Sequence, residues 1–269
     1  MSAAREHIEI AAPYRALFTA HQLTTCAALA QPPQTTVLRR LPQRANLKFT
    51  LADGMQPRIF YLKIHVLQRM GWQWWQEAKS PGLAEYHNAL RCQQLGIPCY
   101  EPVAAAESGH GSMYISANIA GGFQVDHFLQ RNKIAVAELT AILTALADVA
   151  AKFHRANLSH KDFYLCHFFW VPETKTLRLI DLQRMTEYKI LPRRWHVKDM
   201  AALYYSWFQT PLTIDQWRQF FTHYCELLPY EGDRAAFQRR IEAKAGRIRR
   251  HDEKARRLRP QPEIQDART

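Results

Sequence analysis

No stretch of this chain approaches the roughly 18 uninterrupted apolar residues that a membrane span needs, so an integral membrane protein is not expected. The opening segment "MSAAREHIEIAAPYRALF" carries acids and lacks the apolar core of a secretory signal, which makes the cytoplasm the expected compartment. No CxxC pair occurs among Cys26, Cys92, Cys99, Cys166 and Cys225, and their odd number argues against a disulfide framework. Reduced cysteines that pack the interior are expected instead. His65, His154 and His223 show no metal-site spacing. Internal repeats, low-complexity linkers and sharp domain breaks are missing too, which excludes solenoids and tethered modules.

What is present is a chain of 269 residues with 47% hydrophobic content, enough for one large domain or two closely packed lobes with a proper core. Thirty-six Lys and Arg against 24 Asp and Glu leave a formal charge of +12, which points to a polyanionic partner. Eleven basic and four acidic residues fall between Asp233 and Arg259, so this tail alone carries seven of those charges. It has no interleaved aromatics apart from Phe237, so nucleic acid is not the expected partner.

Residues 35 to 65 read as an antiparallel meander, "TTVLRRL", "NLKFTLADG" and "RIFYLKIHV", with Ala52-Asp53-Gly54 as a hairpin turn. Trp72, Trp74 and Trp75 read as packing residues. "GLAEYHNALRCQQLG" is a helix with Leu83, Tyr86 and Leu90 on one face, stopped at Gly96 before Pro98. "SMYISANIAGG" is a strand that runs into a loop. Apolar residues at helical spacing from Val136 to Phe153 predict the longest clear helix. Then "HFFWV" and "TLRLID" flank the turn "PETK" as a hairpin, and two helices follow, "HVKDMAALYYSWF" and one capped by the Thr213–Gln216 box.

Between the long helix and the hairpin stands "LSHKDFYLCHFFW", two histidines, a lysine, an aspartate and a cysteine set among aromatics and leucines. Burying that much polar chemistry is costly unless it is paired or used. A helix, a loop with His160-x-Asp162, and a hairpin that ends in an acid match the catalytic and metal-binding loops of a protein-kinase-like phosphotransferase. Asp162 precedes Asp181 by 19 residues, which suits a loop, two short strands and a turn.

Phosphoryl transfer needs an oriented hydroxyl, a metal on the phosphates and a cation on the nucleotide. Asp162 is the expected catalytic residue, and Asp181 the expected Mg²⁺ ligand with His167 at the second metal position. Lys63 in "FYLKIHV" is the expected nucleotide cation, paired with Glu85 or, as runner-up, Glu77. Ser116 and Ile119, around the end of their strand, are further cofactor-binding candidates. His160 and Asp199 are supporting residues. A glycine-rich phosphate loop is absent from the first turn, "RLPQRAN", where Gln43 and Arg44 are the available substitutes. Only 18 residues separate Asp181 from Asp199, too few for a peptide-docking platform, so a compact acceptor is favoured, with Lys161, Arg193, Arg194 and Lys198 as candidate contacts.

At these residues the chain resembles a known family. "SHKDFYLCHFFW", "LRLIDLQRM", "YLKIH" and "RRWHVKDMAALYYS" look like the lipopolysaccharide core heptose kinases, the Kdo/WaaP family. The similarity runs from about residue 35 to the basic tail, and its Asp-x4-His pattern appears here as Asp162 and His167, with Tyr164 and Cys166 between. The resemblance implies an α+β, protein-kinase-like, two-lobed fold. Residues 1–120 would form an N-terminal extension and a small antiparallel-sheet lobe with one main helix, and residues 121–269 a mainly helical lobe with the basic tail. It further implies ATP and Mg²⁺, phosphorylation of an inner-core heptose of lipopolysaccharide, and work at the inner membrane. The basic tail would then attach the protein peripherally to the anionic cytoplasmic face. A kinase-like enzyme for Kdo or another small acceptor, and a non-catalytic nucleotide-binding scaffold at the membrane, are the alternatives.

Overall fold

The computed structural model of the protein describes residues 6–66, 80–109, 111–131, 133–190, 192–228 and 232–258. Trp72, Trp74, Trp75 and Glu77 lie outside them. In chain order the elements are β1 (His7–Ile10), α1 (Arg15–Ala20), α2 (Cys26–Ala30), β2 (Thr36–Leu41), β3 (Arg44–Asp53), β4 (Gln56–Val66), α3 (Pro81–Gln94), β5 (Pro102–Ser108), β6 (Gly111–Ala117) and β7 (Phe123–Gln124). Then come α4 (Val125–Arg131), α5 (Val136–Arg155), β8 (Leu158–Ser159), β9 (Phe168–Val171), β10 (Thr176–Leu179), β11 (Thr186–Glu187), α6 (Pro192–Trp207), α7 (Ile214–Leu227) and α8 (Arg234–Leu258). The chain divides into two compact units, Met1–Phe123 with His167–Glu187, and Gln124–Cys166 with Tyr188–Thr269.

The first unit is built on a six-stranded sheet of order β1-β5-β6-β4-β3-β2, antiparallel throughout. The β3–β4 hairpin closes at Asp53 and Gln56, with Gly54 at φ +61°, the left-handed backbone that glycine adopts without penalty. Alternation along β4 decides its two faces. Phe60 and Leu62 point into an apolar core with Phe49, Leu47 and Leu51 of β3 and with Tyr14, Phe18 and Leu29 from the N-terminal segment. Lys63 points to the other side, where it meets α3. β5 was not foreseeable from local preference: its Ala104-Ala105-Ala106 run favours helix, yet burial between β1 and β6 makes it a strand.

α3 lies close against β6 because Gly82 has no side chain. A Cβ there would run into the backbone of Met113, and the Gly82 amide donates to Ser112 Oγ at 3.1 Å. That close approach brings Glu85, one turn further on, down to the sheet. β9 and β10 pair as the expected hairpin, and β10 is tied to the segment after α3, where the Tyr100 amide donates to the Leu179 carbonyl at 3.0 Å. All five cysteines are free, and only Cys166 is not fully buried.

The second unit is helical. α5 packs on α7 and α6 on α8, around fully buried Trp207, Trp217, Phe220, Tyr224 and Phe153. Trp207 and Trp217 meet edge to face at 5.2 Å, a favoured geometry for aromatic quadrupoles. The Thr213 box forms as foreseen: Gln216 N donates to Thr213 Oγ1 at 3.3 Å and Thr213 N to Gln216 Oε1 at 2.8 Å. The basic tail is part of this core rather than an appendage, since Phe237, Ile241 and Ala245 of α8 are buried and Tyr205 of α6 donates to Asp252 at 2.5 Å.

Two predictions follow from this packing. Gly82→Ala is expected to cost about 1–3 kcal/mol of stability through overpacking, read by chemical denaturation. The second concerns two imidazoles held neutral. Burial, then Arg44 and Lys63, push His65 down to about 4. Burial, then His154 stacked at 4.3 Å, push His196 down to about 3. Once unfolded, both titrate near 6.5, so the unfolded chain binds more protons below that pH. Their contribution is complete above pH 6.5 and is lost as the pH falls toward 4 for His65 and 3 for His196. Between about pH 7.5 and pH 5 the loss is expected to reach about 2 kcal/mol per histidine, and a His196→Gln variant should show a shallower pH dependence.

Candidate active site

In the first unit a strand, a helix and the end of a hairpin meet at one ammonium group. Lys63 Nζ donates to Glu85 Oε1 at 2.5 Å and to Asp181 Oδ1 at 2.9 Å. Lys63 comes from β4, Glu85 from α3, and Asp181 from the end of the β9–β10 hairpin. Glu85 is fully buried, and Tyr100 also donates to its Oε1, so the carboxylate is held by two donors. The Tyr100 hydroxyl in turn accepts the Leu182 amide at 3.3 Å, and Asn88 of α3 donates to the Leu182 and Met185 carbonyls at 2.7 and 3.3 Å. The segment after Asp181 is thereby moored to α3.

Burial opposes the charge on all three groups, and mutual attraction answers it. Burial pulls the Lys63 ammonium down, but Glu85 and Asp181 more than reverse this and hold it above its usual range. Burial pushes the Asp181 carboxyl up, and Lys63 outweighs it, leaving Asp181 well below the carboxylate range and ionised. Glu85, with no exposed surface, is pushed up by burial against the pull of Lys63. His167 Nε2 lies 3.5 Å from Asp181 Oδ2, and the His167 carbonyl accepts the Ile180 amide at 2.9 Å. Asp181 itself has φ +61°, a left-handed conformation that costs a non-glycine residue on the order of 1 kcal/mol or more and is tolerated where the surroundings over-determine it.

The other sequence-predicted residues of this unit are less tightly grouped. Ser116 of β6 pairs with Tyr61 of β4, so it shares Lys63's face of the sheet two positions along, and it is buried. Ile119 is half-buried beyond the end of β6, its carbonyl accepting the Gly122 amide at 3.0 Å. The glycine-free β2–β3 turn, Pro42-Gln43, is a tight hairpin whose Arg44 Nε donates to Asn46 Oδ1 at 3.2 Å. Among the described residues no group of three His, Cys, Asp or Glu side chains stands ready as a complete metal cage. A single ionised carboxylate beside an imidazole fits Mg²⁺ nonetheless, since that ion keeps its waters and takes one or two carboxylates plus phosphate oxygens.

In the second unit one buried carboxylate holds the loop that bears Asp162. Asp199 Oδ1 accepts from Ser159 Oγ at 3.1 Å and from the Lys161 amide at 2.9 Å, while Oδ2 accepts the His160 amide at 2.8 Å. His154 stands behind it, with Nε2 at 3.6 Å from Asp199 Oδ2 and Nδ1 at 2.7 Å from the Tyr224 hydroxyl. Beyond Asp162 the loop is pinned again: the Leu165 amide donates to Ser206 Oγ at 3.0 Å, and Gln124 Nε2 donates to the Cys166 carbonyl at 2.9 Å. Phe163, Leu165 and His160 are fully buried, whereas Asp162 and Lys161 keep partial exposure. The apolar residues of the motif thus anchor the loop and leave its aspartate accessible.

Arg193 and Arg194 are exposed on the first turn of α6, with Lys198 half-buried one turn on. Tyr100, Asn88, His154, Ser206, Tyr188 and Trp195 had no signal in the sequence as site residues. Most act through a partner distant in the chain, although Asn88, on the helix of Glu85, and Ser206 and Trp195, on the helix of Asp199, fall on segments already singled out.

A model of the "Lipopolysaccharide kinase (Kdo/WaaP) family" matches residues 33–224. The lipopolysaccharide core heptose(I) kinase WaaP of Pseudomonas aeruginosa is 30% identical over 201 residues, covering 67% of this chain and 73% of that protein. The enzyme of the same name from Escherichia coli K12 is 24% identical over 207 residues, covering 68% and 75%. Among solved structures, WaaP in complex with acyl carrier protein superposes with a TM-score of 0.68 at 26% identity, covering 90% of this chain and 99% of that one. An aminoglycoside-3'-phosphotransferase of type VIII aligns with a TM-score of 0.54 at 13% identity, covering 79% and 94%, a likeness of fold alone. The protein has a kinase-like α+β fold, with an antiparallel sheet in its N-terminal part and helices in its C-terminal part, and it belongs to the lipopolysaccharide kinase (Kdo/WaaP) family.

Proposed function

We propose that this protein transfers the γ-phosphoryl group of ATP to a heptose of the lipopolysaccharide inner core. The observation that carries the reading is Lys63 gripping Glu85 and Asp181 at once. It is a half-buried cation fixed in place for phosphate and set beside a carboxylate kept ionised for a metal. Membership of the family, and relatives named as heptose(I) kinases, supply the acceptor class.

In this reading Lys63 binds the nucleotide phosphates, and Glu85 fixes its position. Asp181 holds Mg²⁺ with His167 beside it, and the ion, when bound, neutralises charge on the phosphate oxygens. Ser116 and Ile119 border the nucleotide. Asp162 orients the acceptor hydroxyl and takes its proton as that oxygen bonds to the γ-phosphorus and the bond to ADP breaks. Asp199, through the His160 and Lys161 amides, keeps Asp162 in place. Lys161, Arg193, Arg194 and Lys198 attract the acceptor.

The basic α8 supports a peripheral site of action on the anionic cytoplasmic face of the inner membrane. Among the described residues no helix is long and apolar enough to cross a membrane. Arg247, Arg249, Arg250, Lys254, Arg256 and Arg257 are all exposed, and basic residues near such a surface contribute about 1 kcal/mol each.

Transfer of labelled γ-phosphate to dephosphorylated inner-core lipopolysaccharide tests the activity. Asp162→Ala is expected to lower the rate by about 10²–10⁴-fold, and an unchanged rate would refute the assignment. Nucleotide binding without turnover on any acceptor, Kdo included, would favour a non-catalytic scaffold, the reading that the glycine-free β2–β3 turn supports. For the tail, replacing Arg249, Arg250, Lys254, Arg256 and Arg257 by Gln leaves the buried side of α8 intact. This variant is expected to stop sedimenting with phosphatidylglycerol vesicles, and equal sedimentation would remove the membrane role.

A further inference from the structure

The β2–β3 turn, Pro42-Gln43, contains no glycine, so it lacks the bare backbone with which a glycine-rich loop cradles phosphate. Its flanking strands carry arginines instead, and the strand register places them. Across β2, β3 and β4, Arg39 lies opposite Asn46 and Asn46 opposite Lys63, while Leu41 lies opposite Arg44 and Arg44 opposite His65. Residues directly opposite one another, or two positions along, share one face of a sheet. Arg39, Arg44 and Lys63 therefore stand on a single face, the one turned away from the core of Phe49 and Phe60.

The two arginines meet there, since Arg39, Leu41, Arg44 and Asn46 together line one small cavity. Arg44 is half-buried, and its Nε donates to Asn46 Oδ1 at 3.2 Å. That bond orients the guanidinium and leaves its two terminal nitrogens without a hydrogen-bond or ionic partner among the described residues. The Arg39 guanidinium has no such partner among them either. Arg44 also stands near the Lys63 cluster: burial pushes the Asp181 carboxyl up, Lys63 pulls it down, and the charges of His167 and Arg44 lower it further. Yet the contacts of the Asp181 oxygens are with Lys63 and His167, not with the arginine. Two guanidinium groups that share a cavity with no carboxylate between them repel each other, and an anion placed there relieves the repulsion.

We infer that Arg39 and Arg44 bind phosphate for the glycine-free hairpin: together with Lys63 they take the anionic end of the nucleotide, and Asn46 positions the Arg44 guanidinium for it. The inference rests on the proposed function and adds how the site holds a polyphosphate without a glycine loop. A guanidinium grips two phosphate oxygens at once through its planar fork, a geometry that an ammonium cannot offer. Side chains replace the backbone cradle, so the selectivity they give is for phosphate and not for the nucleoside.

The test is calorimetric binding of ATP and of adenosine, each with Mg²⁺, to the full chain. Arg44→Gln is expected to weaken ATP binding about tenfold or more, with adenosine binding unmoved. Arg44→Lys should restore only part of the loss, because the fork is gone although the charge remains. Asn46→Ala should weaken ATP binding by a smaller factor than Arg44→Gln, and Arg39→Gln, at an exposed position, gives a second reading should Arg44→Gln fail to fold. Equal ATP affinity in parent, Arg44→Gln and Arg39→Gln overturns the inference, and so does a loss of the same factor for ATP and adenosine. If those variants bind ATP as the parent does while the parent labels inner-core lipopolysaccharide, the inference falls and the kinase reading stands. If the parent labels no acceptor but ATP binding still depends on Arg44, the kinase reading fails and the phosphate site is upheld. No nucleotide binding by the parent overturns both.

Discussion

The ammonium group of Lys63 is the constraint on which the first unit is organised. A lysine buried alone would shed its proton; here two carboxylates keep it charged, and each comes from a different element. The sheet, α3 and the end of the β9–β10 hairpin are therefore joined by one cation. Their other contacts make sense as support for it: Gly82 lets α3 approach, Tyr100 fills the second donor position on Glu85, and Asn88 moors the segment after Asp181. Two carboxylates against one ammonium also leave an excess of negative charge, which suits a site that takes a divalent cation together with phosphates.

The second unit solves a different problem by similar means. Asp162, on the loop between α5 and β9, keeps partial exposure, so it is not held by burial. The loop is held by its backbone instead: Asp199 accepts two consecutive amides, and Ser206 and Gln124 pin the far side. A buried carboxylate satisfied by three donors is stable where an unsatisfied one would be costly. Lys161 and Asp181 both adopt left-handed backbone beside these clamps, a conformation that a residue with a Cβ keeps where its surroundings fix it.

Charge is distributed with the same economy. The exposed arginines of α8 continue a helix whose other side, through Phe237 and Ile241, closes the core of the second unit. The helix is both a structural element and a basic surface. The cations near Asp162 are of another kind, held on a stacked pair of rings rather than spread along a solvated face. The first arrangement suits a diffuse anionic surface.

Much of this was legible in the chain. Alternation in β3 and β4, the helical periodicity of α5, the Thr213 capping box and the glycine at the β3–β4 turn are local signals, written by neighbours a few residues apart. Lys63, Glu85, Asp162, Asp181 and Asp199 each sit on or beside a recognisable element, and their order along the chain carried the kinase-like reading. What lay outside reach was decided by partners far along the chain. The alanine run of β5 became a strand because two flanking strands bury it. Tyr100 joined the Lys63 cluster because β10 and the segment after α3 are tied together, and Tyr188 met Trp195 because the Asn157 carbonyl and the start of α6 fix both rings. By itself the sequence determined the order of elements and the residues suited to phosphoryl transfer, since propensity, periodicity and spacing act over short range. Only the tertiary structure decided which donor satisfies which buried charge, because that depends on which distant atoms packing brings within hydrogen-bond reach.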